Sequence, residues 1–262
     1  MGIATIIGLV IGGGCVLLGV MGDELKLENL AAYVDTPAIL IMGGGMLSVV
    51  FIGFSIREVL SFPQVLLLCL RAKFESPVEL INKLVQFAEI ARRDGILALE
   101  GVTEDLKDEF LIRGFQLAVD GTDPELIEKI LNTEVDSLAE RHITHKRMFD
   151  KLTIYTPAWG LAATVIGLIL MFKGMRKDAD PAEIGKGMAT ALTATMYGVL
   201  GANAFWGPLS DKLLAIHEDE MLIKNIVIRG VLAIQSGDNP RIVEQKLRVF
   251  LPPKLRATES RV

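Results

Sequence analysis

Four uninterrupted apolar runs dominate the chain. Gly2–Gly22, Thr36–Ile56, Leu152–Phe172 and Met188–Ser210 contain no Asp, Glu, Lys, Arg or His. Each run is about 21–23 residues long, enough for a helix rising about 1.5 Å per residue to cross a hydrocarbon core roughly 30 Å thick. The pattern predicts four transmembrane helices. Buried core helices of a soluble protein would have to reach spanning length four times by chance. Around the runs lie a short acidic connection (21–35), a domain-sized insertion (57–151), a second short connection (173–187) and a charged tail (211–262).

In the insertion the apolar period becomes that of amphipathic helices. Leu60–Leu70 is apolar enough to lie along a membrane surface. Ser76-Pro-Val-Glu79 reads as a capping box with proline at the first helical position. Behind it, Leu80, Ile81, Leu84, Val85, Ala88 and Ala91 recur at helical spacing. Gly95 interrupts this helix. A further helix is expected over about Glu104–Val119, ending at Asp120-Gly121. Thr122-Asp123-Pro124 starts another, with Leu126, Ile127, Ile130, Leu131, Val135 and Leu138 on one face. No stop signal separates that helix from the third apolar run, nor the fourth run from Asp211–Gln235. Spans three and four are therefore expected to continue outside the membrane. Ser236-Gly-Asp-Asn-Pro240 is a clear stop, followed by a short helix. No β pattern appears. The expected fold is all-α: a four-span integral membrane protein with a helical domain between spans two and three.

Composition adds orientation. The chain is 51% hydrophobic yet 23% charged, so the two kinds of residue must be segregated along it. An even number of spans puts the insertion and the tail on one side. That side holds 22 of the 27 Lys and Arg residues, 13 in the insertion and nine in the tail. It is assigned to the cytoplasm, with both termini, although the 173–187 loop also carries four cations. No Lys or Arg precedes the first span and no small-x-small site follows it, so it is not read as a cleaved signal. Cys15 and Cys69 lie in or beside apolar segments and suggest no disulfide framework. A net charge of −5 argues against nucleic acid as the main partner.

Signatures of enzyme chemistry are absent: there is no phosphate-binding loop, nucleophile elbow or zinc-protease helix. His142 and His145, with Glu140 nearby, have helical spacing for a metal, but no further ligand accompanies them. Small residues crowd the first two spans (Gly8, Gly12–Gly14, Gly19, Gly43–Gly45, Ser48). They suit close helix packing, either within the chain or between subunits. Pro157 and Pro208 fall at the cytoplasmic ends of spans three and four. There a missing N–H frees a carbonyl one turn back and permits a kink. Thr164 and Thr195 lie at depths matched to about one helical turn. Two hydroxyls at one depth could ligate a hard cation. They could equally bond their own i−4 carbonyls, and spacing alone favours that second reading. No span contains an acid. An ion pathway through this protein therefore needs a carboxylate from a partner.

The motifs together resemble the A subunit of the bacterial flagellar motor stator, the MotA/PomA family within the MotA/TolQ/ExbB superfamily. The likeness covers essentially the whole chain. It rests on the order of spans and on Ala91-Arg-Arg-Asp-Gly-Ile-Leu-Ala-Leu-Glu100, Ala118-Val-Asp-Gly121, Thr156-Pro-Ala-Trp-Gly160, Val165-Ile-Gly-Leu168, Trp206-Gly-Pro208, Gly230-Val-Leu-Ala233 and Glu244-Gln-Lys-Leu247.

The resemblance implies a non-enzymatic protein of the bacterial inner membrane that needs no cofactor and conducts Na+ or H+. Its A subunits, five by the family's pattern, would ring two B subunits (MotB/PomB). Each B subunit would supply the ion-binding aspartate and grip the cell wall. The resemblance also implies that Arg92 and Glu100, with Arg93 as an accessory, contact the rotor switch protein FliG, and that Pro157 and Pro208 couple conformation to conduction. It places Thr164 and Thr195 at positions where sodium-driven members carry threonine, with Tyr197 beside the ion pathway. That shifts the expectation towards sodium. An ExbB/TolQ-type energiser of envelope transport has the large soluble segment after its first span, whereas here it follows the second. A solute transporter should show inverted repeats or a charged site at the midplane. A passive scaffold would need no aspartate-bearing partner.

Overall fold

The computed structural model describes residues 2–21, 27–71, 76–103, 106–175 and 181–256, and every regular element among them is helical. The chain divides into two compact units. One comprises Met1–Lys73 and Ile143–Leu214; the other comprises Phe74–His142 and Ala215–Val262.

The first unit contains α1 (Gly2–Met21), α2 (Thr36–Gly53) and α3 (Ile56–Arg71). It also holds the C-terminal part of the 51-residue helix α7 (Pro124–Gly174), and α8 (Pro181–Leu200). Two of these helices, α2 and α7, have an apolar stretch long enough to cross a membrane; Ile6–Met21 is a shorter apolar helix. In both α2 and α7 only 22% of that stretch is buried within the chain. A soluble core helix would be mostly covered, so these faces suit lipid or another subunit.

Helix α2 stops at Gly53, short of the predicted Ile56. The reason is a capping box missed in the sequence, Ser55-x-x-Glu58. The Glu58 carboxylate accepts from the Ser55 N–H at 2.6 Å and from its hydroxyl at 2.7 Å, which starts α3 in a new direction. These bonds hold the Glu58 carboxyl below its ordinary pKa. One face of α3 buries Val65 and Cys69 against Phe149, Leu209 and Leu213. The other exposes Ile56, Leu60 and Leu67. Burial pushes the Cys69 thiol up to about 11, so it behaves as a small apolar side chain.

Helix α8 runs without a gap into a π-helical segment, Gly201–Trp206, and then into α9 (Gly207–Gln235). The expected continuation of spans three and four past their apolar stretches is thus present in α7 and in the α8–α9 run.

The second unit packs α4 (Pro77–Asp94), α6 (Glu109–Val119), the first part of α7, the end of α9 and α10 (Pro240–Arg248) around one core. Leu80, Leu84, Phe115, Ile127, Leu131, Ile226, Val231 and Leu247 are almost wholly buried in it. Ser76 occupies the N-cap of α4, but its side chain makes no capping hydrogen bond. Helix α6 begins at Glu109, later than the predicted Glu104, which lies outside the described residues. Asp108 decides that start. Its carboxylate accepts from the Phe110 N–H at 2.9 Å and meets Lys224 of α9 at 3.2 Å. Helices α6 and α9 both end on a glycine with positive φ, Gly121 at 72° and Gly237 at 73°. In each case the paired backbone bonds of a Schellman motif close the helix, as Thr122 N–H to Leu117 O and Asp238 N–H to Ala233 O show.

Candidate functional site

Helices α7 and α8 meet backbone to backbone, and glycine is what permits it. A Cβ on Gly167 would lie 2.6 Å from Ala191 N and 2.7 Å from Gly187 O. A Cβ on Gly160 would stand 3.0 Å from Ala194 O, and one on Gly198 3.2 Å from Pro157 Cα. Without Cβ atoms the two helices close up, and side chains beside the seam meet.

Thr164 and Thr195 are such side chains. Their hydroxyl oxygens are 2.6 Å apart. Thr164 Oγ1 is also 2.9 Å from Gly160 O and 3.1 Å from Ala191 O, while Thr195 Oγ1 is 3.0 Å from Ala191 O. Each threonine thus reaches its own i−4 carbonyl, as spacing favoured, and the two hydroxyls also touch. Two hydroxyls carry two protons between them. If both protons go to carbonyls, bare lone pairs face each other at the 2.6 Å contact, so one proton must lie between the oxygens.

Of the two prolines, one sits in this seam. Pro157 lies inside the continuous helix α7, against Gly198. Pro208 follows the π segment, where the Gly207 N–H reaches five residues back to Ala202 O. Aromatic rings crowd the π segment. Trp206 is 4.6 Å from Phe205 and 6.2 Å from Phe149 between ring centroids, and Phe62 stacks on Phe149 at 4.9 Å. A π segment and a proline are both recognised sites of helix bending. The sequence revealed the proline but not the π segment, which has no residue signature.

Tyr197 is engaged with the start of α2. Its hydroxyl donates to Tyr33 O and accepts from the Asp35 N–H at 3.2 Å. Asp35 was not singled out in the sequence, since it precedes the second apolar run. One of its carboxylate oxygens caps α2 by accepting from Ala38 N–H at 2.8 Å. The other accepts from Thr190 at 3.1 Å. An acid of the connection is thus drawn against α8, and proximity in the fold was the only signal for it.

In the second unit, Arg92 and Arg93 end α4, Gly95 turns the chain at φ 87°, and Glu100 lies in α5 (Leu99–Thr103). All three charged residues are exposed. Among the described residues, neither Arg92 nor Glu100 forms a salt bridge. Arg93 is bound at 2.7 Å to Asp94, whose carboxyl is held below its usual pKa by that hydrogen bond. Arg92 and Glu100 thus keep their charges available. The turn is anchored by Leu99, which is buried.

His142 and His145 diverge. His142 Nδ1 lies 3.5 Å from Nδ1 of His217, while His145 lies 3.1 Å from the Ser61 hydroxyl. Among the described residues no group of three metal-ligating side chains forms.

The profile of the MotA/TolQ/ExbB proton channel family matches residues 102–225. The chain is 36% identical over 257 residues to motility protein A of Borreliella burgdorferi, covering 98% of this chain and 96% of that protein. It is 33% identical over 260 residues to the chemotaxis protein PomA of Vibrio alginolyticus, covering 99% of each. Its fold matches the flagellar MotAB stator complex from Bacillus subtilis with a TM-score of 0.85 at 32% identity, covering 96% of both chains. The chain therefore belongs to the MotA/PomA family of flagellar motor stator subunits, membrane-embedded ion-channel proteins that are not enzymes.

Proposed function

We propose that this chain is the A subunit of a flagellar stator driven by sodium. The stator reading is supported by near-full-length likeness to motility protein A and PomA. The observation that carries the sodium reading is the oxygen cluster in which Thr164 and Thr195 hydroxyls lie 2.6 Å apart beside the carbonyls of Gly160 and Ala191. Hard cations prefer oxygen ligands.

In this reading the four apolar runs span the inner membrane, with the insertion, the tail and both termini in the cytoplasm. The four runs hold no acid, and Asp35 at their edge already has both carboxylate oxygens bonded. The ion-binding aspartate is therefore supplied by a B-type partner. Five A subunits ring a pair of B subunits. Charging and discharging the aspartate alters its fit to the ring, and the ring steps. Pro157 and Pro208 mark where the helices yield. Arg92 and Glu100, with Arg93 as accessory, push on FliG. Exposed charges suit a contact that must form and break repeatedly, because they steer the encounter with little desolvation to reverse.

Proton drive is the second reading, and one feature favours it: both hydroxyls have carbonyl partners in their own helices. The deciding experiment measures swimming speed in cells relying on this subunit and its B partner. Sodium is titrated at fixed pH and fixed membrane potential. Speed that rises and saturates with sodium, and loses that dependence in Thr164→Ala, supports the sodium site. Speed indifferent to sodium but sensitive to the proton gradient makes the threonines structural.

A further inference from the structure

The π segment and Pro208 leave the α8–α9 run with a local defect in its hydrogen-bond ladder, since Gly207 N–H bonds five residues back and Pro208 has no N–H to give. Directly beyond the defect lies a polar contact that the stator reading does not use. Ser210, only 3% exposed, donates its hydroxyl to Oδ1 of Asp150 on α7. Both oxygens of the same carboxylate receive Lys146 Nζ at 2.8 Å. Leu209 and Leu213 of α9 pack on Phe149, the neighbour of Asp150. Burial pushes the Asp150 pKa up, but the bonds from Lys146 and Ser210 outweigh it and hold the pKa below the ordinary value. Paired with Lys146, the carboxylate is a strong, charge-assisted acceptor.

We propose that Asp150 is a positioning residue that, through Ser210, latches the start of α9 to α7 immediately beyond the π–proline break. Bending is thereby confined to Gly201–Pro208, and the helix beyond moves with α7. Lys146 fixes the carboxylate so that one oxygen stays aimed at Ser210. The latch itself is a statement about this chain's helices. Its consequence for torque rests on the stator reading, in which slack at this point would dissipate the step before it reached the rotor.

The test uses the complete A/B complex, purified and in cells, with Ser210→Ala, Asp150→Ala, Asp150→Asn and the Ser210→Ala/Asp150→Ala double variant. Amide hydrogen exchange over 209–216 should speed up roughly tenfold in either single alanine variant, the size expected for one hydrogen bond to a charged acceptor. The double variant should exchange no faster than the singles. Asp150→Asn should restore much of the protection, because its amide oxygen still accepts from Ser210. Amides over 190–200 should not change. In tethered-bead motors, stall torque should fall severalfold while speed at zero load is kept. A merely structural role would instead lower torque and speed together with the amount of complex. Unchanged exchange over 209–216, or exchange raised evenly along the whole helix, would overturn the latch. If the wild-type complex shows the exchange pattern but turns no motor, the stator reading fails and the latch stands.

Discussion

The two units hold their helices together by opposite means. In the first, α7 and α8 touch through glycines, with backbone atoms in contact at Gly160, Gly167, Gly187 and Gly198. In the second, large side chains interlock, and Gly230 makes room for one: a Cβ there would lie 2.8 Å from Leu84 Cδ1. The proposed topology, with the first unit in lipid and the second in water, accounts for the difference. In lipid a leucine gains little by leaving the solvent, so helices associate through close packing and internal polar contacts. In water, burying Leu, Ile and Phe is the main driving force. The close seam has a further consequence in the first unit, because it brings two threonine hydroxyls to 2.6 Å. A core of large side chains would have kept the helix axes too far apart for that.

The largest expected effect breaks the seam. Gly167→Leu would drive a side chain into the backbone of α8, beyond the overpacking that cores tolerate for about 1–3 kcal/mol. Loss of the folded chain from the membrane fraction should result. Gly12→Ala and Gly43→Ala, where a Cβ meets nothing within 4 Å in this chain, should leave that fraction intact. If they disturb only the assembled complex, the small faces of α1 and α2 belong to subunit contacts rather than to internal packing.

Next is Pro208→Leu. It restores an N–H at the break without adding bulk to the seam. Rotation should stop while complex recovered with the B subunit stays unchanged; continued rotation would remove Pro208 from the coupling. Leu84→Ala tests the other kind of packing. It should cost about 2–5 kcal/mol, as large-to-small changes in a core do. A fall in the thermal midpoint reported by probes in the second unit would measure it.

Arg92→Glu should leave both kinds of packing untouched, because the side chain is exposed. Torque should drop partially, and a charge-reversed rotor partner should restore part of it. Full motility of the single variant on a sensitised background would exclude the rotor contact.

The smallest effect concerns the turn between α2 and α3. The Glu58 pKa is lowered in the folded chain, so its contribution is present above the ordinary carboxylate pKa. That contribution is lost as pH falls through the lowered value. Glu58→Gln should cost less than about 1 kcal/mol, as for caps at exposed helix starts. The cost at neutral pH should vanish in acid, which a pair of thermal melts at the two pH values would read.

Much of the fold was legible because its signals are local. Runs without charge, the Asp123-Pro124 start and the Gly121 and Gly237 stops each act within a few residues, and the structure places helix starts and ends there. Two local signals were misjudged. Ser76 offered a cap its side chain does not make, and Ser55-x-x-Glu58 was missed because it straddles the end of the second apolar run. The site was legible only in part. Pro157, Pro208, Thr164 and Thr195 were singled out from residue type and depth in the spans, and Arg92, Arg93 and Glu100 through motif likeness. Asp35 and Asp150 could not be, since nothing nearby in the chain sets them apart from any solvated aspartate.

The sequence by itself determined helix content, the four apolar runs and the family, because hydrophobic period and capping chemistry need only neighbouring residues. Tertiary structure alone decided which hydroxyls meet, that Asp35 turns to Thr190, that Ser210 is held by Asp150, and that a π segment precedes Pro208. Those depend on how closely two helices approach and in what register. That approach is fixed by the steric fit of glycines in different helices, which no single stretch of chain contains.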